Sequence, residues 1–224
     1  MLVLAIDTSG RPGSIALARC GFDEVFELLD VVALAGGTFS SELVPEIAML
    51  LSRHGATKAQ LDGFAVVSGP GSFTGLRIGL AAVKALAEVL QKPIAAISML
   101  QAVAVAGRSE GMVLSALDAG RGDAYVGEYE VARGDARFLE QSLMTQSQLQ
   151  EAMTNFRLVT PDQTIALRAQ SAGLEVDVIE RPNSGAIAKL GCGKLRAGQT
   201  VAPEALEANY ILRSESGLFR KSSS

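Results

Sequence analysis

The stretch "LVLAIDTSGRPGSIA" (residues 2–16) decides the fold, because a matching stretch, "VLSALDAGRGDAYVG" (residues 113–127), follows 111 residues later. In this alignment Ala5 falls on Ala116 and Asp7 on Asp118. Both stretches lead from an apolar strand through an aspartate and a Gly-rich turn into a second strand, as a β-hairpin does. The repeat predicts two lobes built on the same plan.

Around the first copy, the sequence predicts a three-stranded meander followed by helix, strand, helix and strand. The segment "FELLDVVAL" (26–34) is the third predicted strand, and residues 38–54 carry apolar side chains at helical spacing. Two short apolar runs, "FAVVSG" (64–69) and "PIAAIS" (93–98), are typical of buried parallel strands. This pattern predicts an α/β fold in which each lobe is a mixed β-sheet with packed helices.

After the second copy the patterns weaken. The sequence predicts a short helix in "TQSQLQEAMT" (145–154), a strand in "FRLVTP" (156–161) and a helix in "SGAIAKLGCGKLRAG" (184–198) that Gly191 and Gly193 interrupt. We therefore expect an N-terminal lobe at 1–106, a second, degenerate lobe at 107–205, and a C-terminal segment at 206–224 that packs back on the N-terminal lobe and ends in a disordered tail.

Composition limits the function classes. The 224 residues are 48% hydrophobic with a net charge of −4, which is the opposite of the basic surface that grips nucleic acid phosphates. The apolar runs are too short for a membrane span, and the N-terminus does not match a secretory signal. These features predict a soluble, cytoplasmic protein without membrane contact, which, if it serves RNA, does so through a partner.

The cysteines and the histidine offer little chemistry. Cys20 and Cys192 lie far apart with no C-x-x-C spacing, so we expect two free thiols rather than a disulfide or a zinc site. His54 is the single histidine, which excludes a His-x-x-x-His metal site and indicates a histidine at a helix end.

The Gly-rich stretch "SGPGSFTGLRIG" (68–79) resembles a phosphate loop but lacks the lysine after Gly75 that such a loop requires. It opens a helix whose polar residues, Arg77, Lys84 and Glu88, form one narrow stripe, so we expect burial on more than one side. Small residues on another side of this helix would allow a close neighbour. They are Gly75, Gly79 and Ala82.

Asp7, Thr8 and Ser9 form a second candidate site. A carboxylate at a strand end beside hydroxyl groups could hold magnesium or a phosphate-bound water, and Asp118 stands at the matching place in the second copy. These four are the candidate residues for weak nucleotide binding. An ordinary Asx-type turn explains the first three equally well.

The segments "LAIDTS", "SSELVPEI", "GPGSFTGLRIG" with "KALA", and "LDAGRGDAYVGEYE" together resemble the TsaB family, also called YeaZ. The resemblance implies a two-lobed actin-like fold of the ASKHA or ribonuclease H-like type. It also implies a non-catalytic scaffold and activator of TsaD, which forms N6-threonylcarbamoyladenosine next to the anticodon of tRNAs that read ANN codons. TsaD-like relatives carry a histidine pair for a catalytic metal, and serine and phenylalanine stand in the corresponding helix here.

The resemblance further implies partners and an interface. TsaD is the expected partner in a heterodimer, TsaE joins a ternary complex, and a homodimer forms in isolation. No cofactor of its own and no metal are expected, with ATP or ADP at the contact with TsaD. The interface falls on the first two long helices, at Ser41, Leu43, Val44, Ile47, Leu51, Gly75, Leu76, Gly79, Leu80, Ala82 and Val83.

Two other functions stay open at this point. An autonomous ATP-dependent kinase of the same superfamily is suggested by Asp7, Thr8, Ser9 and Asp118. A metal-dependent glycoprotease is disfavoured by the single histidine. The C-terminal "ANYILR" departs from the family pattern P-x-Y-L-R, which puts the role of Tyr210 and Arg213 in doubt.

Overall fold

A computed structural model of the chain describes residues 1–21, 25–153 and 156–211. It separates into two compact units. Unit 1 comprises Met1–Ala102 and Arg181–Asn209, and the described part of unit 2 comprises Val103–Glu180 with residues 210 and 211.

Unit 1 contains a five-stranded mixed sheet in the order β3-β2-β1-β4-β5. The first three strands form the predicted antiparallel meander, and β4 and β5 add parallel to β1. Two helices follow β3 and β4 and cover one side of this sheet. The bounds are β1 (Leu2–Asp7), β2 (Gly13–Cys20), β3 (Phe26–Leu34), α1 (Phe39–Arg53), β4 (Gly63–Gly69), α2 (Phe73–Leu90) and β5 (Ile94–Ser98).

Unit 2 repeats this topology. A third helix, whose first four residues belong to unit 1, precedes a sheet of order β10-β9-β6-β7-β8, which is again a three-stranded meander extended by two parallel strands. The repeat predicted from Asp7 and Asp118 is therefore confirmed. The bounds are α3 (Met99–Ala106), β6 (Gly111–Gly120), β7 (Asp123–Ala132), β8 (Asp135–Thr145), α4 (Gln146–Ala152), β9 (Arg157–Thr160), α5 (Gln163–Ser171) and β10 (Val176–Val178).

The last helix, α6 (Ser184–Arg196), belongs to unit 1 and not to the second lobe in which the prediction of 107–205 placed it. It crosses the side of the first sheet opposite α2. Four alanines lie side by side on that face because the strand register pairs Ala5 with Ala16 and Ala65, and Ala65 with Ala95. We call these four residues the alanine row.

Small residues let α6 approach the sheet closely. A Cβ added at Gly191 would overlap the Cβ of Ala65 and reach Ala95, so the helix backbone rests directly on the alanine row. The helix is continuous through Gly191 and Gly193, contrary to the predicted interruption. Its N-terminus is fixed to β2 as well, since the Ser184 N–H donates to Ser14 Oγ at 2.9 Å.

Cys20 and Cys192 form a disulfide, so the expectation of two free thiols was wrong. Their Cα atoms lie 6.0 Å apart, within the range that a disulfide requires. Sequence spacing could not show this pairing, because the two residues are separated by 172 positions and meet only when α6 packs on the first sheet.

The C-terminal segment is described only as far as Ile211. Leu206 is buried, and the Asn209 N–H donates to the Ser68 carbonyl at 2.7 Å. Arg213 and the rest of the predicted tail lie outside the described residues. Among the helices that the structure describes, none has both the length and the apolar character needed to cross a bilayer.

Candidate functional site

The outer sides of α1 and α2 form an exposed apolar surface on unit 1. On α2, five residues at four-residue spacing point away from the sheet, and two of them are large apolar side chains: Phe73 is 54% exposed and Val89 is 76% exposed. On α1, Val44 is 63% exposed and Met49 is 50% exposed. We define the α1–α2 surface by the exposed residues Val44, Pro45, Ala48, Met49, Phe73, Arg77, Ala81, Ala85 and Val89.

The spacing of this surface follows from helix geometry. Residues four apart lie on one side of a helix, so Phe73, Arg77, Ala81, Ala85 and Val89 form a continuous ridge along α2. At the start of the ridge, the Arg77 guanidinium carbon lies 3.7 Å from the centre of the Phe73 ring, in a cation–π contact. The middle of the ridge consists of two alanines, which would let another helix come near.

Most of the residues predicted for the partner interface are not on this surface. Eight of the eleven are buried inside unit 1, because their apolar spacing marks the side of each helix that packs on the sheet. Ser41 and Val44 are exposed, and Ala82 is half-buried. The eight buried residues are Leu43, Ile47, Leu51, Gly75, Leu76, Gly79, Leu80 and Val83.

The two helix glycines explain the Gly-rich stretch. A Cβ at Gly75 would overlap the carbonyl oxygen of Thr8, and a Cβ at Gly79 would overlap Thr8 Oγ1. Thr8 Oγ1 also donates to the Gly75 carbonyl at 2.7 Å. The small-residue face of α2 therefore serves close packing against the end of β1. The expectation of burial on more than one side was wrong, since Ala81 and Ala85 are exposed on the opposite side.

Asp7, Thr8 and Ser9 come together at the end of β1 and are 2%, 2% and 3% exposed. Asp7 Oδ1 accepts hydrogen bonds from the Ser9 N–H at 2.8 Å and from Ser9 Oγ at 2.6 Å. The Ser9 carbonyl in turn accepts from the Ser72 N–H at 2.8 Å. The three residues thus close an Asx-type turn beneath the start of α2.

Burial raises the pKa of the Asp7 carboxyl above its ordinary value near 3.8, because desolvation of the charged form outweighs the opposing effects. The hydrogen bonds from Ser9 and the charge of Arg181 act in the opposite direction.

The raised pKa makes the Asp7→Asn variant a test by pH. A folded-state pKa above the unfolded one contributes stability that is fully present below the unfolded pKa and is lost as pH rises through the folded pKa. Asparagine cannot ionise but can still accept from Ser9 through Oδ1. We expect the Tm of Asp7→Asn, relative to the wild type, to increase as pH is raised from about 4 through that window. Parallel Tm curves for the two proteins would contradict the assignment.

These residues do not fit a magnesium–nucleotide. Asp7 is buried, its Oδ1 is already bonded twice, and a Cβ at Gly71 would overlap Ser9, so the loop has no room for a phosphate group. In unit 2, Asp118 is exposed, its N–H donates to Asp162 Oδ2 at 2.7 Å, and its Oδ1 accepts from the Gly120 N–H at 2.9 Å. Asp118 lies in a tight hairpin turn of its own unit.

His54 caps the C-terminal end of α1, as predicted for a histidine at a helix end. Its Nε2 lies 3.2 Å from Asp30 Oδ2, and Arg53 reaches the same carboxylate oxygen at 3.2 Å. The group joins α1 to β3 on the surface.

The chain is similar in sequence to known proteins of one family. The family model described as "TsaD: tRNA N6-adenosine threonylcarbamoyltransferase" matches residues 33–178. The TsaB protein of Bacillus subtilis, a "tRNA threonylcarbamoyladenosine biosynthesis protein", is 36% identical over 135 residues, which are 60% of this chain and 57% of that protein. The Escherichia coli TsaB is 34% identical over 58% of this chain and 55% of its own length. The chain thus spans little more than half the length of these curated relatives.

A solved structure, "YeaZ from Pseudomonas aeruginosa", superposes with a TM-score of 0.74 at 23% identity, covering 94% of this chain and 99% of that one. This likeness supports the two-lobed actin-like α/β fold. The chain belongs to the TsaD family of actin-like proteins. Within that family its similarity is to the TsaB, or YeaZ, proteins, and the resemblance inferred from the sequence is confirmed.

Proposed function

We propose that this chain is a non-catalytic scaffold that binds and activates TsaD in forming N6-threonylcarbamoyladenosine next to the anticodon of tRNAs that read ANN codons. The observation that carries the proposal is the α1–α2 surface. The names of the Bacillus subtilis and Escherichia coli relatives support the same biosynthetic role.

The chemistry of the α1–α2 surface suits a protein partner. Large exposed apolar side chains grouped on two adjacent helices mark interaction sites, because a soluble monomer gains nothing from leaving them in water. Phe73 and Arg77 are residue types that often dominate interface energetics. The alanines between Phe73 and Val89 would allow a helix of TsaD to lie close to α2.

A non-catalytic role is supported by the residues available. The sequence holds one histidine, and His54 lies with Asp30 and Arg53 at the end of α1. The net charge of −4 favours an indirect contact with tRNA, made through the complex. Asp7 is enclosed by its own turn, which leaves the autonomous kinase without support.

The proposal includes the other expected components. TsaE joins the pair as a third protein, and a homodimer uses the α1–α2 surface when TsaD is absent. We place the protein in the cytoplasm, where the tRNA substrates of TsaD lie. The chain requires no cofactor of its own, and ATP or ADP at the contact with TsaD stays a prediction that calorimetry of the mixed proteins would check.

The Ala81→Arg variant tests this function. Ala81 is exposed at the centre of the α2 ridge, so arginine can be accommodated in the free protein but not beneath a closely packed partner. With TsaD, TsaE, tRNA and the threonylcarbamoyl donor present, we expect threonylcarbamoyl transfer to fall roughly tenfold or more at limiting amounts of this chain. Sizing of the mixture should show the matching loss of the complex.

Gln170→Arg is the matched control, because it adds the same charge to an exposed helix position in unit 2. It should leave both transfer and complex formation unchanged. Full transfer in the absence of this chain, or unaltered activity of Ala81→Arg, would contradict the proposed function.

A further inference from the structure

The side chain of Arg181 contacts the turn after β1 that contains Asp7, Thr8 and Ser9. It is the first residue of the second stretch of that unit, Arg181–Asn209, and is distant in sequence from the β1–β2 turn. Its NH2 group donates to Ser9 Oγ at 3.1 Å, and Ser9 Oγ donates to Asp7 Oδ1 at 2.6 Å. The Ser9 hydroxyl thus connects the guanidinium group to the carboxylate.

The β1–β2 turn packs closely against the Arg181 side chain at Gly10. A Cβ added at Gly10 would lie 2.9 Å from Arg181 Nε and 3.2 Å from its guanidinium carbon, so the planar group packs directly on the glycine backbone. Arg181 Nε is buried and has no hydrogen-bond partner in the part of the chain that the structure describes. An arginine held at the cost of an unpaired donor indicates that its charge, more than its hydrogen bonds, is needed there.

The buried carboxylate of Asp7 explains why a positive charge is needed at Arg181. Asp7 is 2% exposed, and an ionised carboxylate in the interior is stable only when another charge or several donors compensate it. Among the described residues, Arg181 supplies a positive charge that lowers the pKa of Asp7, after the two hydrogen bonds from Ser9. Carboxylate oxygens are also ligands of Mg²⁺ and Ca²⁺, so a divalent cation is an alternative source of that positive charge.

We propose that Arg181 is a permanent internal counter-ion of Asp7, which supplies through Ser9 the positive charge that a bound divalent cation would otherwise supply and closes the site to Mg²⁺ and Mg²⁺-nucleotides. This inference goes beyond the proposed function, because an activating subunit could equally retain an open cation site. It also gives the poor fit of Asp7, Thr8 and Ser9 to a nucleotide a cause in the chain itself.

A double-mutant cycle between Asp7 and Arg181 tests the charge coupling. Arg181→Met keeps the unbranched apolar stem of the side chain but removes its charge. We expect it to lower the folded-to-unfolded equilibrium constant about tenfold more in the wild-type background than in the Asp7→Asn background, as measured by urea unfolding at neutral pH. Arg181→Lys keeps the charge and should recover most of that loss.

Equal costs of Arg181→Met in the two backgrounds would overturn the proposal, because a purely structural arginine does not depend on the charge at residue 7. If Arg181→Met does not fold, the double variant Asp7→Asn/Arg181→Met must still fold; failure of both also overturns it.

A second experiment uses the metal alone. Millimolar MgCl₂ or MnCl₂ should not raise the Tm of the wild type more than that of Asp7→Asn. A rise confined to the wild type would show a cation at Asp7 and overturn the proposal. Both experiments measure stability without TsaD, so their failure is distinguishable from failure of the proposed function.

Discussion

Gly191→Ala destabilises the protein, whereas Gly193→Ala, two residues further along the same helix, stabilises it. A methyl group at 191 would overlap the Cβ of Ala65, which cannot move away because it is fixed on a central strand. At 193 no atom lies within 4 Å of the added Cβ. We expect Gly191→Ala to lower the free energy of unfolding by about 1–3 kcal/mol, even after the gain in helix propensity.

Gly193→Ala should raise the same free energy by about 0.5–1 kcal/mol, because alanine loses less backbone entropy than glycine in a helix interior. Urea unfolding of both variants beside the wild type measures the difference. Effects of the same sign at the two positions would contradict the contact between α6 and the alanine row.

Reduction of the Cys20–Cys192 disulfide has the other large effect on stability. The bond closes a loop of 172 residues, and a long loop loses much chain entropy when it is closed in the unfolded state. We expect full reduction to lower the free energy of unfolding by about 3–5 kcal/mol, which is on the order of 10 °C in Tm. Because both cysteines are almost fully buried, reduction should require partial unfolding.

Thermal unfolding with and without a phosphine reductant, after equilibration in mild denaturant, measures this effect. The double variant Cys20→Ala/Cys192→Ala is the control, and its Tm should not respond to the reductant. Two reactive thiols per chain, found by titration of the denatured and unreduced protein, would contradict the disulfide.

The sequence predicted the first sheet well because its signals are local. The strands β1 and β3 coincide with the apolar runs 2–7 and 26–34, and α1 lies within the predicted range 38–54. Each of these elements has a hydrophobic period and a glycine or polar turn at its ends. The repeat then predicted the β6–β7 hairpin of unit 2.

Three elements of unit 2 were missed. The strand β8 follows β7 through a tight turn at Arg133 and Gly134, both with positive φ, and this Arg-Gly pair was a weaker hairpin signal than Asn-Gly. The helix α5 has an apolar face made mostly of alanine around Ile165, and β10 has only three residues. Such short or weakly apolar segments are stabilised by tertiary packing, which local patterns do not encode.

The position of α6 depends on contacts between distant residues, which explains the incorrect domain boundary. A signal was present all the same: every strand of the alanine row carries its alanine where a large side chain would be expected. Alanines at paired registers, together with Gly185 and Gly191 in one helix, indicate close packing between that helix and the sheet. Sequence periodicity alone could not say that these residues meet.

The predicted interface residues show a different limit of prediction from sequence. Periodicity predicted helices at α1 and α2 correctly, but α2 was expected to be buried on more than one side. The family resemblance then assigned the strongly apolar sides of both helices to the partner. On the strongly apolar side lie Leu43, Leu76 and Val83, which are buried in the core of unit 1. The exposed residues on the opposite side are weaker signals. The prediction included Val44 but not Ala81, whose exposure becomes visible only once the core is assigned.

The discontinuous make-up of unit 1 has a consequence for synthesis on the ribosome. Residues 1–102 contain the whole first sheet, but α6 is translated only after Val103–Glu180 of unit 2. At bacterial elongation rates of about 5–20 residues per second, the alanine row emerges roughly 5–20 s before the helix that covers it. During this interval the nascent chain exposes a smooth apolar sheet face, and chaperones have a defined surface to protect until α6 emerges.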